Sequence, residues 1–307
     1  MFEAVNNFLQ HVDDLVWGVP LIVAILLTGI YLTIRLKGIQ ITKLPKALRY
    51  MFENEESGHG EVTSFGALCT ALSATIGTGN IVGVATAIVA GGPGALFWME
   101  IAALFGMATK YSEGLLAIKY RTTDKHGHIL GGPFYYIENG MGKKWTWLAK
   151  LFAFFGMGVG LFGIGTFTQV NGITSAVGNF FDPNAQNVIH LLGRDYTLAV
   201  VISGLILTVC VGLVVIGGLK RIAKVSEIVV PFMAVIYIAI SLLLLILNAN
   251  KIPAAVAEIV SSAFGLRAAA GGALGAIIVA MQKGIARGIF SNEAGLGSAP
   301  IAAAAAQ

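Results

Sequence analysis

The sequence has 307 residues, of which 56% are hydrophobic and 12% charged, with a formal net charge of +4. Soluble domains carry about 25% charged residues, so much of the charge that would face water is missing. A single soluble core cannot bury so much apolar surface, and we predict an integral membrane protein. The basic residues lie in short loops and form no continuous stripe, which argues against nucleic acid as a partner.

Seven apolar segments are long enough for a transmembrane helix, which needs about 20 residues. They predict membrane spans at residues 16–35, 65–90, 94–119, 147–179, 196–217, 228–248 and 268–290. The fourth segment is long enough to run tilted. Lys and Arg favour cytoplasmic loops and are concentrated after the first, third and fifth spans. This alternation predicts a multi-pass protein of the cytoplasmic membrane with an extracellular N-terminus.

Two connections between the spans have recognisable local patterns. Residues 131–136 read Gly-Gly-Pro-Phe-Tyr-Tyr and predict a tight turn with an aromatic anchor at the cytoplasmic interface. Residues 253–264 have apolar side chains at helical spacing and predict a short helix on the outer face. Cys69 and Cys210 lie inside apolar segments, which is typical of packed thiols rather than of a disulfide or a metal pair.

The second span contains the most informative stretch of the sequence. Gly77 and Gly79 lie near its middle, and each glycine costs about 1 kcal/mol relative to alanine in a helix interior. An opened helix is tolerated in a membrane where it lines a cavity or is buried in protein. It offers carbonyl groups to a cation and N–H groups to an anion, and Thr75, Thr78 and Asn80 add polar side chains. The alternative is that the glycines only let neighbouring helices pack closely.

The fourth span carries Gln169 and Asn171 beside Phe167. Such amide side chains are expensive in hydrocarbon unless they face protein or water. They could bind a substrate, or they could join helices by hydrogen bonds.

The seventh span and the residues that follow it, 271–300 as one stretch, are rich in small residues and interrupted by polar ones, so this stretch is a second candidate for a broken helix. Lys283 and Arg287 are predicted near its cytoplasmic end, where snorkelling would explain them.

The third span is the least apolar, because Glu100, Lys110 and Glu113 interrupt it. The two carboxylates could relay protons, but an ion pair with Lys110 or an interfacial position is the simpler interpretation. The sequence has no GxxxxGK[ST], HExxH or GxSxG motif, so we do not predict an enzyme.

Three stretches closely resemble the alanine or glycine:cation symporter family, the prokaryotic sodium–alanine symporters. They are residues 73–81, 131–136 and 287–300. The resemblance implies an all-α, leucine-transporter-like fold of two inverted five-helix repeats, preceded by one extra helix. Residues 1–307 would then form one transmembrane domain that holds the first repeat and only the start of the second. Because members of this family are longer, we expect the chain to be the N-terminal part of a longer protein.

The resemblance also implies a binding site between the second and seventh spans, which are both discontinuous in that fold. The substrate-binding residues that it implies are Thr78, Gly79, Asn80, Phe167, Gln169, Asn171, Ile277 and Gln282. Thr75 and Gly77 would form part of a sodium site, mainly through backbone carbonyls.

The function that follows from this resemblance is sodium-coupled symport of alanine, glycine or both by alternating access. The alternatives are a proton-coupled amino-acid transporter and, further from the pattern, a channel or an intramembrane enzyme. The expected partners are the amino acid, sodium as the coupling ion and the lipid bilayer. We expect no other cofactor, and a monomer is the working assumption.

Overall fold

The computed structural model describes residues 2–51, 53, 60–163, 165–191, 193–266 and 272–307. This part of the chain is mainly α-helical, with two small antiparallel hairpins. The first helices are α1 (Phe2–Val16), α2 (Val19–Arg35), α3 (Ile39–Thr42), α4 (Leu44–Tyr50), α5 (Ser64–Thr75), α6 (Thr78–Gly91) and α7 (Gly94–Lys119). The middle of the chain forms β1 (Thr122–Thr123), β2 (Ile129–Leu130), α8 (Pro133–Met141), α9 (Thr146–Leu161), α10 (Thr166–Phe181), β3 (Val188–Leu191) and β4 (Arg194–Thr197). The last helices are α11 (Leu198–Ile216), α12 (Gly218–Leu247), α13 (Ile252–Ala263), α14 (Ala273–Asn292) and α15 (Ala299–Ala303).

Several segments of the described chain are long and apolar enough to cross a membrane. They are Ser64–Gly91, Lys143–Phe181, Leu198–Ile216, Gly218–Leu247 and Leu274–Asn292. The α2 helix is apolar but shorter, and α7 is long but contains four charged residues, Glu100, Lys110, Glu113 and Lys119. Helices therefore lie at all seven predicted positions, as in a polytopic membrane protein.

The fourth predicted span contains two helices, α9 and α10, rather than one tilted helix. Gly163 and Gly165 lie between them with φ angles of 60° and 90°. Those angles belong to the left-handed region, which glycine adopts easily and which ends a right-handed helix. The glycines thus explain the difference from the predicted single helix.

The seventh predicted span corresponds to α14, which is uninterrupted from Ala273 to Asn292. Its predicted first residues, 268–271, lie outside the described residues. The interruption follows the helix instead, at residues 293–298, before α15 begins. The break therefore lies within residues 271–300, the stretch that the sequence singles out, but after residue 290, where the predicted span ends.

The direction of α14 places its basic side chains against α6. A Cβ atom added at Gly83 would meet the Arg287 guanidinium, and one added at Gly91 would meet Lys283. Arg287 thus lies beside the middle of α6 and Lys283 beside its C-terminal end, because α14 ends level with the start of α6. In the predicted orientation α6 is the outer half of the second span, so the position predicted for the two residues near the cytoplasmic end does not agree with that orientation.

The two connections that have predicted local structure are both helical. Residues 253–264 coincide with α13, as the apolar spacing predicts. In the other connection, Gly132 makes the predicted turn with a φ of 115°, and the aromatic residues that follow Pro133 begin α8.

The α7 helix is the centre of the packing, with α14, α2, α13 and α15 against it. Small residues allow α14 to approach it closely: a Cβ atom added at Gly284 would overlap the Ala95 carbonyl. The buried cluster around this contact contains Ile22, Ala102 and Ile285. Outside it, α5 packs against α12 and α15, α6 packs against α14, and α10 packs against α11.

Candidate functional site

The second predicted span opens where the glycine pair predicts it. The α5 helix ends at Thr75, α6 begins at Thr78, and the two residues between them are extended. Ile76 has φ and ψ angles of −88° and 104°, and Gly77 has −152° and −156°. Ends of this kind leave carbonyls of α5 and amides of α6 without partners in their own helix. We call residues 76–77 the first interruption.

Neutral amide side chains accept hydrogen bonds from the backbone amides of the first interruption. The Thr78 amide donates a 2.9 Å hydrogen bond to Oε1 of Gln169, which belongs to α10. The Gly77 amide donates to Oδ1 of Asn80 over 3.3 Å. A Cβ atom at Gly77 would overlap the Gln169 carboxamide, so the absence of a side chain there permits the contact between the two helices.

Other predicted site residues surround this opening only in part. A Cβ atom added at Gly79 would lie 3.8 Å from the Phe290 ring. Phe167 and Asn171 are exposed, because they lie on α10 about 200° around the helix from Gln169. Regular helical geometry therefore separates them from the residue that reaches the interruption.

Gln282 and Ile277 lie away from the first interruption. Gln282 lines a cavity of about 400 Å³ between α6, α14 and the α1–α2 connection, together with Trp17 and Thr86. Ile277 precedes Phe290 by 13 residues, which is about 20 Å along the helix. The structure thus does not bring these two residues to the opening.

Thr75 is the last residue of α5. Its hydroxyl donates to the Ala71 carbonyl of its own helix over 2.9 Å. It lines a mostly apolar cavity of about 370 Å³ with Lys110 and residues of α15. The structure therefore places Thr75 beside the interruption, with its carbonyl among those that a helix end leaves unpaired.

A second interruption, residues 293–298, lies between α14 and α15. Glu293, Gly295 and Gly297 have positive φ angles of 56°, 86° and 77°. Side chains of the segment bond within it: Oδ1 of Asn292 accepts from the Ala294 amide over 2.9 Å, and the Ser298 hydroxyl donates to Glu293 over 2.7 Å.

Two charged side chains of α7 also bond to the second interruption. Nζ of Lys110 donates to the Asn292 carbonyl over 2.9 Å, and Oε2 of Glu113 accepts from the Gly295 amide over 3.2 Å. Within the described residues, Lys110 and Glu113 form no ion pair with each other. The predicted ion pair is thus replaced by bonds from each charge to the backbone.

The sequence of the chain matches known transporters over almost its whole length. The sodium:alanine symporter family matches residues 2–307. The chain belongs to the sodium:alanine symporter family. It is 55% identical to an uncharacterized transporter of Haemophilus influenzae over 99% of its length, and 48% identical to the sodium/alanine symporter AgcS of Methanococcus maripaludis over 98%. It is also 41% identical, over 98%, to the probable sodium/glutamine symporter GlnT of Bacillus subtilis.

The symporter relatives are longer than this chain, which covers 63%, 63% and 59% of those three proteins respectively. The match confirms the resemblance seen in the sequence and assigns the chain to a family of transporters rather than enzymes.

In this symporter-family chain, the two interruptions lie side by side. The α6 helix packs against α14, and α5 packs against α15, while Phe290 of α14 lies next to Gly79. Residues of the second interruption were not predicted to be part of the site. Its signal was present as Gly-x-Gly followed by Ser-Ala-Pro, because Pro is favoured in the first turn of a helix.

Proposed function

We propose that this chain belongs to a secondary active transporter that moves a small neutral amino acid together with a sodium ion by alternating access. The proposal places the protein in the cytoplasmic membrane with its N-terminus outside. The observation that carries it is the first interruption, where two helix ends of opposite dipole meet beside an uncharged polar side chain.

The proposed substrate position is the N-terminal end of α6. The amino-acid carboxylate would accept hydrogen bonds from the amides of Thr78 and Gly79, as anions do at helix N-termini. Gln169 bonds to the Thr78 amide in this structure, so it would release that amide to the substrate. Asn80 would hold the turn open through its bond with Gly77.

The proposed sodium position is the C-terminal end of α5. Carbonyl oxygens near Thr75 and Gly77 lie at the negative end of the helix dipole, which favours a cation. No Asp or Glu is present between residues 70 and 90. A proton needs a titratable acceptor, whereas sodium binds to carbonyl and hydroxyl oxygens, so this end of α5 favours sodium as the coupling ion.

The remaining residues implied by the resemblance stay predictions of the pocket wall. They are Phe167, Asn171, Ile277 and Gln282, which in this structure lie away from the first interruption. They could contact substrate only in another state of the alternating-access cycle, or with parts of the longer protein in place.

The substrate is proposed to be alanine or glycine, with glutamine as the competing candidate. Relatives carry names for both kinds: AgcS is named a sodium/alanine symporter and GlnT a probable sodium/glutamine symporter. YrbD of Bacillus subtilis is named a putative sodium/proton-dependent alanine carrier protein. The coupling ion and the substrate are therefore tested together.

The experiment is uptake of radiolabelled amino acid by the intact protein in proteoliposomes. Imposed sodium and proton gradients are compared, with alanine, glycine and glutamine as substrates. We expect concentrative alanine or glycine uptake with the sodium gradient and none with the proton gradient alone. Uptake driven only by protons would overturn the assignment of sodium as the coupling ion. Conductance without concentrative uptake would indicate a channel.

A further inference from the structure

The α7 helix presents two opposite charges to the second interruption. Lys110 and Glu113 are three residues apart, which places them on the same face of a helix. Both are half-buried, in a helix that packs against both α14 and α15. Half-buried charges in an apolar helix need partners, and here the partners are backbone groups.

Each charge matches the backbone group that it contacts. The C-terminal end of α14 carries unpaired carbonyls and a partial negative charge, and the Lys110 ammonium donates to one of them, the Asn292 carbonyl. The Gly295 amide beyond that end donates to the Glu113 carboxylate, and the Gly297 amide is close enough to interact with it.

The second interruption is also packed on its other sides. A Cβ atom added at Gly106 of α7 would lie 3.2 Å from the Ala294 methyl group. One added at Gly297 would lie 2.8 Å from both Phe152 and Pro133. Residues of α7, α8 and α9 therefore pack against Ala294 and Gly297, while Gly295 and Ser298 stay exposed.

We propose that Lys110 and Glu113 are positioning residues that hold the second interruption open. Their side chains provide hydrogen-bond partners for its backbone groups, at the end of α14 and within the segment. Charge-assisted hydrogen bonds are roughly twice as strong as neutral ones, so the two side chains replace the helical bonds that the segment lacks. The substrate and the ion then bind at the first interruption, and to this extent the inference rests on the proposed function.

The test compares Glu113→Gln, Glu113→Asp and Glu113→Leu in the intact protein by uptake in proteoliposomes. A glutamine keeps an oxygen at the right distance to accept from Gly295, whereas an aspartate keeps the charge but is one methylene shorter. We expect the KM for alanine to rise about three- to fivefold with Gln, which keeps the acceptor but loses the charge, and at least tenfold with Asp and Leu. The pH profile of Glu113→Gln should stay that of the unmodified protein.

A proton-relay role gives the opposite order, because Glu113→Gln cannot carry a proton and Glu113→Asp can. That order would overturn the inference. So would Glu113→Asp and Glu113→Leu proteins that fold in smaller amounts but keep the normal KM, since these results indicate a role in folding only. Glu100→Leu is the matched control, because this exposed carboxylate lies on the same helix.

A second measurement does not depend on transport. Leu296 lies within the second interruption and packs against the buried cluster of Ile22 and Ile285. In a Leu296→Cys background that also carries Cys69→Ala and Cys210→Ala, since both native cysteines are free thiols, we expect maleimide labelling at least tenfold faster with Lys110→Met or Glu113→Leu, and less than fivefold faster with Glu113→Gln. Unchanged labelling in all three would overturn the positioning role, while absent uptake by the unmodified protein would overturn the proposed function alone.

Discussion

The two interruptions open their helices side by side, yet the protein satisfies them in different ways. Neutral carboxamides bond to the first, through Gln169 and Asn80. Charged side chains bond to the second, through Lys110 and Glu113. A neutral hydrogen bond contributes about 1 kcal/mol net, and a bond to a charged group about 1.5–3 kcal/mol. A charged ligand can therefore displace the partners of the first interruption more easily, so the same backbone feature can form a binding site or a fixed bend.

The largest expected effect tests whether the first interruption is the site. Gly77→Ala introduces a Cβ atom where the Gln169 carboxamide now lies, so it should displace that side chain and distort the opening. We expect sodium-driven uptake to fall at least 100-fold in proteoliposomes.

Gly156→Ala serves as its control, because a Cβ atom at that position of α9 meets nothing within 4 Å. Normal uptake by Gly77→Ala would remove the first interruption from the mechanism. Equal losses in both variants would indicate a general intolerance of the helices to alanine.

A smaller effect is expected from a charge placed at the same opening. Gln169→Glu puts a carboxylate against the Thr78 amide, where we propose that the substrate carboxylate binds. The added charge should compete with the substrate, and we expect the KM for alanine to rise at least tenfold.

Asn171→Asp is the matched change on the exposed face of α10. Because this face points away from the opening in this structure, a change in KM of less than threefold would remove Asn171 from the predicted pocket wall. If Asn171→Asp had the larger effect, the pocket would lie on that face of α10, as the sequence resemblance implies.

The sequence predicted the first interruption because its signal is local. Two glycines in an apolar segment weaken the helix wherever the rest of the protein lies, so Gly77 could be singled out in advance. The partner of the opening depends on tertiary contacts. Gln169, Asn171 and Phe167 were predicted as one group, whereas helical geometry brings only Gln169 to the Thr78 amide.

The second interruption was harder to place from the sequence. The small residues of the seventh span predicted a break inside it, but α14 is continuous there because those residues pack closely against α7, as Gly284 does against Ala95. The break lies where Gly295 and Gly297 have positive φ angles. The roles of Lys110 and Glu113 could not be predicted, since their partners are backbone groups about 180 positions away in the chain.

A third prediction concerns the contact that holds the two interrupted helices together. Nε of Arg287 donates to the Gly83 carbonyl over 3.1 Å, and Nη2 donates to the Thr86 hydroxyl over 3.3 Å. Removing both bonds with Arg287→Met should destabilise the protein by about 1–3 kcal/mol, seen as a lower melting temperature in detergent. Lys cannot reproduce this forked geometry, so Arg287→Lys should recover only part of the loss.

Lys283→Met is the control for Arg287→Met, because Lys283 is an exposed basic residue one turn away on α14. Equal melting temperatures for the two variants would mean that Arg287 does not join the helices. The comparison of the interruptions would then rest on the packing of α6 against α14 alone.

The smallest expected effect uses a carboxylate that bonds to backbone amides outside the membrane spans. Asp124 lies between β1 and β2, and its Oδ1 accepts from the His126 and His128 amides over 2.8 Å each. These backbone hydrogen bonds, that of His128 foremost, lower the pKa of Asp124 below its ordinary value of 3.8. A lowered pKa means that the carboxylate stabilises the hairpin above the ordinary pKa, and that this is lost as the pH falls through the lowered value.

We expect hydrogen exchange at the His126 and His128 amides, corrected for intrinsic rates, to lose protection in that acidic range and to be weakly protected at all pH values in Asp124→Asn. Uptake at neutral pH should change less than twofold in this variant, because the hairpin lies away from both interruptions.

Glu113 also accepts a hydrogen bond from a backbone amide, but next to the proposed site. A small loss of uptake in Asp124→Asn and a large loss in Glu113→Leu would therefore show that the position of the carboxylate matters for transport, rather than the hydrogen bond itself. Similar losses of uptake in both variants would instead indicate that any disturbed turn impairs transport, and the contrast between the two interruptions would lose its functional meaning.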